Sequence, residues 1–244
     1  MRKPPHERQH VTKVNRRGEN QLLSLLPQIE RKRILERCER ISLDIKTVLY
    51  EAGRPIKFVY FPLSGMVSLV SRHAEGGTIE VGTVGNEGMV GTPLVLGSER
   101  SHVEAIVQVA GDLLRISAPD FLRELKRSSS LQRVSNRFAQ ALMVQISQSV
   151  ACNRLHPVGE RICRWLLMTH DRAGIDDMGL TQEFVSQMLG VRRPSVTEIA
   201  SALQKEGLIR YSRGKVTVLD RKGLEAGACD CYQTVRREAE RLLQ

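Results

Sequence analysis

The stretch that most restricts what this chain can fold into runs from Leu180 to Ile209, LTQEFVSQMLGVRRPSVTEIASALQKEGLI. Phe184 and Val185 pair at i, i+4 with Met188 and Leu189, forming one apolar helical stripe, and Thr181 stands before it as an N-cap. Gly190 can take the left-handed backbone that a sharp reversal needs. Pro194 fits the first turn of a following helix, where amide hydrogens lack acceptors in any case. The core face of that second helix is Val196, Ile199, Ala200 and Leu203, at i, i+3, i+4 and i+7. Arg192, Arg193, Ser195, Thr197, Glu198 and Ser201 are left on or near its outward N-terminal end, the end a recognition helix places in a major groove.

The residues beyond this helix pair extend the pattern. Glu206-Gly207 is a helix stop, Ile209 and Tyr211 alternate with polar neighbours, Ser212-Arg213-Gly214-Lys215 is a basic turn, and Val216 and Val218 alternate again. The whole reads as a helix-turn-helix with a β-wing. An amphipathic helical hairpin with a glycine corner is common, so the arginine pair and the wing carry the reading toward DNA. Net charge adds little. The excess of +10 is spread as +4 over residues 1–20, +3 over 21–153 and +3 over 154–244, which also fits a generally basic protein.

The rest of the chain divides into an α+β arrangement of four parts. Residues 1–19 are a polar, basic arm. Residues 20–118 begin helically (Leu22, Leu23, Leu25, Leu26, Ile29, Ile34, Leu35) and change period near Ser42. Six short apolar runs then succeed one another up to Ile116, separated by glycine-bearing turns, which indicates an antiparallel barrel or sandwich. Residues 119–153 are expected as a long helix with an apolar stripe of Leu131, Val134, Phe138, Ala141 and Leu142. The stripe can pack on the chain's own β-domain or on a second copy, and a homodimer through these residues is expected. Residues 154–244 form the DNA-binding domain, hinged at Arg154 to Pro157, with a helical tail from Glu225 to Leu243 anchored by Val235 and Leu242. The pair Asp176-Asp177 is read as loop.

Glycine-rich β-roll, long helix and winged helix, in that order, resemble the Crp/Fnr family of bacterial transcription regulators from about Asn20 to Leu219. The specific phrases are Gly85-Asn86-Glu87-Gly88-Met89-Val90-Gly91, Glu160-Arg161-Ile162 and the helix-turn-helix. The resemblance implies a β-roll of the cyclic-nucleotide-binding jelly-roll type, a homodimer reading a palindromic site in double-stranded DNA, a signal sensed in the β-roll, and contact with RNA polymerase. It implies that Arg193 reads guanine. Pro194 and Glu198 depart from the family's other base-reading positions, and a carboxylate at Glu198 can accept from cytosine N4. Gln182, Ser195, Arg213 and Lys215 suit phosphates.

The effector does not carry over so simply. Gly91 matches the glycine of the family's cyclic-nucleotide cassette, but Thr92-Pro93 stands where an acid for the ribose belongs, and Arg100-Ser101 comes early. Gly91, Arg100 and Ser101 therefore fit an effector site only in part. Cyclic-nucleotide binding is disfavoured, no cofactor is identified, and an unknown small-molecule effector stays open. None of the five cysteines lies in the arm, where the family's iron-sulfur members cluster theirs. Cys229-x-Cys231 is an isolated pair, read as structural, so no metal is expected, and His73 and His102 are turn or strand-surface residues.

The reading is thus a DNA-binding regulator. Two alternatives remain: a β-roll regulatory subunit whose winged helix contacts protein, or a cyclic-nucleotide-responsive regulator. No phosphate loop, nucleophile elbow or metal motif suggests an enzyme. No apolar run spans a membrane and the first ten residues lack a signal peptide's centre, so a cytoplasmic protein with free thiols is expected.

Overall fold

The computed structural model describes residues 18–72 and 77–243; most of the expected arm, and His73, lie outside them. Asn20 caps α1 (Gln21–Ser24), accepting from the Leu23 amide at 3.0 Å, while its own amide donates to the carbonyls of Pro62 (3.0 Å) and Gly88 (2.8 Å). One buried side chain thereby starts a helix and ties it to the β-roll. After α2 (Gln28–Leu35) come β1 (Glu39–Leu43), β2 (Val48–Tyr50), β3 (Phe58–Pro62), β4 (Met66–Arg72), β5 (Thr78–Val84), the short α3 (Thr92–Val95), β6 (Glu104–Val109) and β7 (Gly111–Ser117). They form two antiparallel sheets, in the orders β1-β7-β3 and β2-β6-β4-β5, a jelly-roll-like arrangement. Val59, Phe61, Val67, Leu69, Ile116 and their neighbours fill its core.

The strands agree with the expected runs, with one correction. The β-region begins at Glu39, not near Ser42. β1 carries a polar face that cross-strand ion pairs hold in place: Glu39 lies directly opposite Arg115, and Arg40 reaches Asp112 at 2.6 Å. An apolar-run criterion passes over such a strand.

The helix expected over 119–153 is two helices, α4 (Ala118–Arg127) and α5 (Ser129–Leu155). Ser128 between them is extended (φ −125°, ψ 102°), and its hydroxyl accepts from the Leu131 amide at 2.9 Å, capping α5. Leu131, Val134, Phe138, Ala141 and Leu142 are not a free dimer seam. All five are buried within the chain, and Leu131, Val134, Phe138 and Leu142 belong to the β-roll core. The outward side of α5 instead exposes Met143 (55%) and Val150 (67%), two turns apart.

The C-terminal part comprises α6 (Val158–Ala173), β8 (Asp177–Met178), α7 (Gln182–Leu189), α8 (Arg193–Lys205), β9 (Ile209–Ser212), β10 (Lys215–Val218), α9 (Arg221–Gly227) and α10 (Cys231–Leu243). Asp177, read as loop, lies in β8 and pairs with Thr217, a strand too short to show alternation. The tail is also corrected. It starts as helix at Arg221, breaks, and runs back along α5, and its buried anchors are Leu224, Cys231, Tyr232 and Val235, with Leu242 only half-buried.

The two halves meet in a polar seam. The carboxylate of Glu80 on β5 accepts from the Trp165 indole (2.8 Å) and the Ser68 hydroxyl (2.6 Å). Arg172 of α6 pairs with Glu87 at 2.8 Å and donates to Gln145 of α5 at 3.2 Å, and the Gln145 amide donates to Thr83 at 3.0 Å. Such closeness needs bare backbone on the β-roll. A Cβ at Gly88 would lie 2.0 Å from the Phe138 ring, and one at Gly85 would lie 2.7 Å from the Arg172 Cβ. Gly85 and Gly88 of the 85–91 phrase are thus where the helices seat.

Burial pushes the Glu80 carboxyl up to about 7, against the opposing pull of its two hydrogen bonds and of Arg164 and Arg172. A carboxyl held above its ordinary value stabilises the closed seam in mild acid, and that stability is lost as pH rises through about 7. Emission of Trp165, the sole tryptophan, should therefore titrate with a midpoint near 7, and Glu80→Gln should abolish the step. A midpoint in the ordinary carboxylate range contradicts the burial of Glu80. Gly88→Ala should overpack the Phe138 contact and cost about 1–3 kcal/mol, seen as a lower melting temperature.

Candidate nucleic-acid interface

The α7–α8 corner is built as the spacing predicts. The Thr181 hydroxyl accepts from the Phe184 amide at 3.1 Å, and Gly190 ends α7 in the left-handed region (φ 61°). The Val191 amide returns to the Ser186 carbonyl at 3.0 Å, which tucks Val191 against the domain core. Sequence reasoning missed one participant. Buried Arg161 of α6 donates from Nη2 to the Leu189 carbonyl at 2.6 Å, satisfying an end carbonyl of α7 from outside the helix. The Glu160-Arg161-Ile162 phrase marked the residue in the sequence without showing its partner.

In α8, Val196, Ala200 and Leu203 are buried and Ile199 is partly so, which aims the opposite side outward. Arg192 is the N-cap residue but makes no side-chain cap bond, and Arg193 opens the helix with Pro194 behind it. Arg192, Arg193, Thr197, Glu198 and Ser201 are exposed and Ser195 half-exposed. Not all are equally free. The Thr197 hydroxyl donates to Gln182 Oε1 at 2.7 Å, linking the two helices, and the Ser201 hydroxyl donates to the Thr197 carbonyl at 2.8 Å.

The wing joins β8 in a sheet of order β8-β10-β9. Ser212 lies opposite Lys215, so only Arg213 and Gly214 form the turn, and both have positive φ (48° and 75°). This is the two-residue geometry whose twist matches paired strands. It puts Arg213 at the tip with Lys215 beside it. The wing is tied to the helix pair: the Tyr211 hydroxyl donates to the Leu180 carbonyl at 2.6 Å, and Gln204 of α8 accepts from the Tyr211 amide at 2.8 Å. Burial pushes the Tyr211 hydroxyl up to about 12, with the Arg193 charge pulling the opposite way.

The charges here are unspent. Some cations outside this surface are matched, as Arg221 is by Asp171 (2.7 Å) and Glu225 (3.1 Å), while others such as Arg127, Arg137 and Arg154 are exposed without an acid. Among the described residues Arg192, Arg193, Arg213 and Lys215 have no acidic partner, although all four are exposed. Four uncompensated cations around a helix end are a charge pattern suited to a polyanion.

The three effector candidates are not gathered in the same way. Gly91 is buried as the N-cap of α3 (φ 115°), against Val59. Arg100 is exposed and donates to the Gly53 carbonyl at 2.8 Å, while buried Ser101 accepts from the Val103 amide at 3.1 Å. Each is engaged in local structure. His102 is exposed, as expected.

Cys229 and Cys231, read as an isolated pair, are not isolated. They stand at the α9–α10 junction beside Cys152 and His156, an i, i+4 pair at the end of α5. The spacing C-x3-H on one helix face was the available signal, and a separation of 77 residues in the chain hid its match.

Two family models match the chain: a cyclic nucleotide-binding domain over residues 40–128 and a Crp-like helix-turn-helix domain over residues 160–226. The chain is similar to the transcriptional regulator SdrP of Thermus thermophilus, 26% identical over 205 residues, a match covering 74% of this chain and 93% of that protein. Among solved structures it is similar in fold to FixK2 from Bradyrhizobium japonicum, with a TM-score of 0.66 at 13% identity over 79% of this chain and 98% of that one. It is likewise similar to CLP of Xanthomonas campestris, described as a c-di-GMP-responsive global regulator, with a TM-score of 0.64 at 17% identity over 80% and 100% of the two chains.

Proposed function

The chain belongs to the Crp/Fnr family of DNA-binding transcription regulators, and from that premise we propose that it reads a two-fold DNA site as a homodimer through the N-terminal end of α8. The observation that carries this is the set of four exposed, acid-free cations, Arg192, Arg193, Arg213 and Lys215, around that helix end and the wing tip. Arg193 forks two donors onto guanine O6 and N7, and Glu198 accepts from a cytosine amine. Arg192, Arg213 and Lys215 take phosphates, with Gln182, Ser195, Thr197 and Ser201 in support, Thr197 already holding Gln182 in place.

The homodimer forms through the outward side of α5, where Met143 and Val150 are exposed two turns apart, the earlier stripe being committed to the chain's own core. In the cytoplasm such a dimer works with RNA polymerase, as the family resemblance implies. The β-roll responds to a small molecule other than a cyclic nucleotide: Thr92-Pro93 begins α3, so no carboxylate follows Gly91 to meet a ribose, and Arg100 is held on Gly53.

Binding to single-base variants of a selected operator, at several salt concentrations, separates the roles. Arg193→Ala should flatten preference at one base pair in each half-site, a loss of about 1–3 kcal/mol of discrimination, while Lys215→Ala should weaken all sequences alike and make the salt slope shallower by about one unit per half-site. An intact preference profile in Arg193→Ala removes α8 as the reading helix. For the dimer, sedimentation of the double variant Met143→Glu with Val150→Glu should give a folded monomer, whereas Phe138→Asp should unfold the β-roll instead. An unchanged dimer mass in the double variant rules out this face.

A further inference from the structure

We propose that Cys152, His156, Cys229 and Cys231 form a mononuclear zinc site that clips the C-terminal tail to the end of α5, beside the hinge. The four donor atoms, three sulfurs and one ring nitrogen, all lie within 4.8 Å of one another. Zinc takes four such ligands tetrahedrally, at about 2.3 Å for sulfur and about 2.0–2.1 Å for nitrogen, which sets edges of roughly 3.5–3.8 Å between ligands. Two edges here are close to that: Cys152 Sγ to Cys229 Sγ at 3.5 Å and Cys231 Sγ to His156 Nδ1 at 3.4 Å. The sulfurs around an iron-sulfur cluster stand farther apart, since several irons lie between them. A thiolate-rich tetrahedral set selects zinc over magnesium or calcium.

The surroundings match the requirements of such a site. Metal-bound histidine typically gives its second ring nitrogen to a carboxylate, which fixes the tautomer and turns the other nitrogen to the metal. Here His156 Nε2 faces Asp230 Oδ1 at 3.6 Å, while Nδ1 faces Cys231. Gln148 donates from Nε2 to Cys231 Sγ at 3.1 Å, a bond that favours a thiolate. Binding releases three thiol protons to solvent and forms four metal–ligand bonds, leaving a single net negative charge on the site. Cations are in place for it. Arg164 is buried, donates to the Ser149 hydroxyl one turn before Cys152 at 3.2 Å, and has Nε and Nη1 lacking any hydrogen-bond acceptor. Arg161, also buried, has its Nε likewise unpaired. Two buried guanidiniums with spare donors are costly beside neutral thiols and appropriate beside a metal trithiolate.

The site spans a junction. Cys152 and His156 end the helix that packs on the β-roll, Pro157 comes next, and Cys229 and Cys231 start the helix that returns along α5. Because Arg161 also holds the end of α7, the metal stands next to the support of the reading helix.

The test uses the full chain, purified under reducing conditions, stripped with a chelator and titrated with zinc and, separately, cobalt. We expect one metal per chain, a tetrahedral thiolate-rich cobalt spectrum, loss of that spectrum in Cys229→Ser with Cys231→Ser, and about 10- to 100-fold weaker zinc binding in Asp230→Asn, which removes no ligand and alters an exposed residue. The proposal is overturned by a chain that stays metal-free at equimolar zinc, by an octahedral cobalt spectrum, by metal retained in the double variant, or by a persistent Cys152–Cys229 disulfide in place of metal. DNA binding enters none of these readouts, so failure here leaves the assignment of α8 standing, and failure of that assignment leaves the metal site standing.

Discussion

Close approach of two helices to bare backbone governs this molecule. At Gly85 and Gly88 the β-roll offers no side chain, and Arg172 of α6 and the Phe138 ring of α5 occupy the room a Cβ would need. Because interiors are packed to near-crystalline density, these contacts admit little slack. They position α5, α5 positions α6 across Pro157, and α6 positions the reading helix through Arg161 and the shared core. Side chains in direct contact thus run without a break from the β-roll near residues 80–88 to the winged-helix half. Glu80, Glu87 and Gln145 are the polar members of that path, and Val70 of β4 is an apolar one.

Where one periodicity governs a segment, sequence and structure coincide. α7 and α8 bury the stripe their spacing picks out, with Thr181 as cap and Gly190 left-handed, and the wing turns at Arg213-Gly214. Local signals sufficed because each of these features is satisfied within about thirty residues. The features that could not be read depended on distant partners. The stripe of Leu131 to Leu142 shows an apolar face without showing what covers it, and a β-roll met through glycine is as good a cover as a second helix. β1 escaped because only Ile41 and Leu43 of its five residues face the core, among exposed Glu39, Arg40 and Ser42, too few to make an apolar run. The cysteines were visible one by one, but bringing Cys152 to Cys229 required the tail's return along α5, which no local pattern announces.

The electrostatics show a division of labour. Arginines that build the fold are paired or buried against carbonyls, as Arg33 and Arg37 are on the buried Glu124 and as Arg172 is on Glu87. The four cations proposed to meet a polyanion, Arg192, Arg193, Arg213 and Lys215, are left without acids. Exposed, unpaired cations contribute little to folding, so binding can use them at small cost to the fold. The family match places this chain among regulators.

The return of α10 along α5 also bears on how the chain acquires its shape during synthesis. Domains made first tend to fold first, and contacts between segments far apart in sequence form late because loop closure must precede them. The β-roll can therefore complete its core, Phe138 included, while the winged helix is still being translated. The flank of α5 around Gln148 and Cys152 stays bare until residues 231–243 have emerged. During that interval a nascent chain carries an uncovered helix face with the Cys152 thiol on it, and α10 closes that face once it is made.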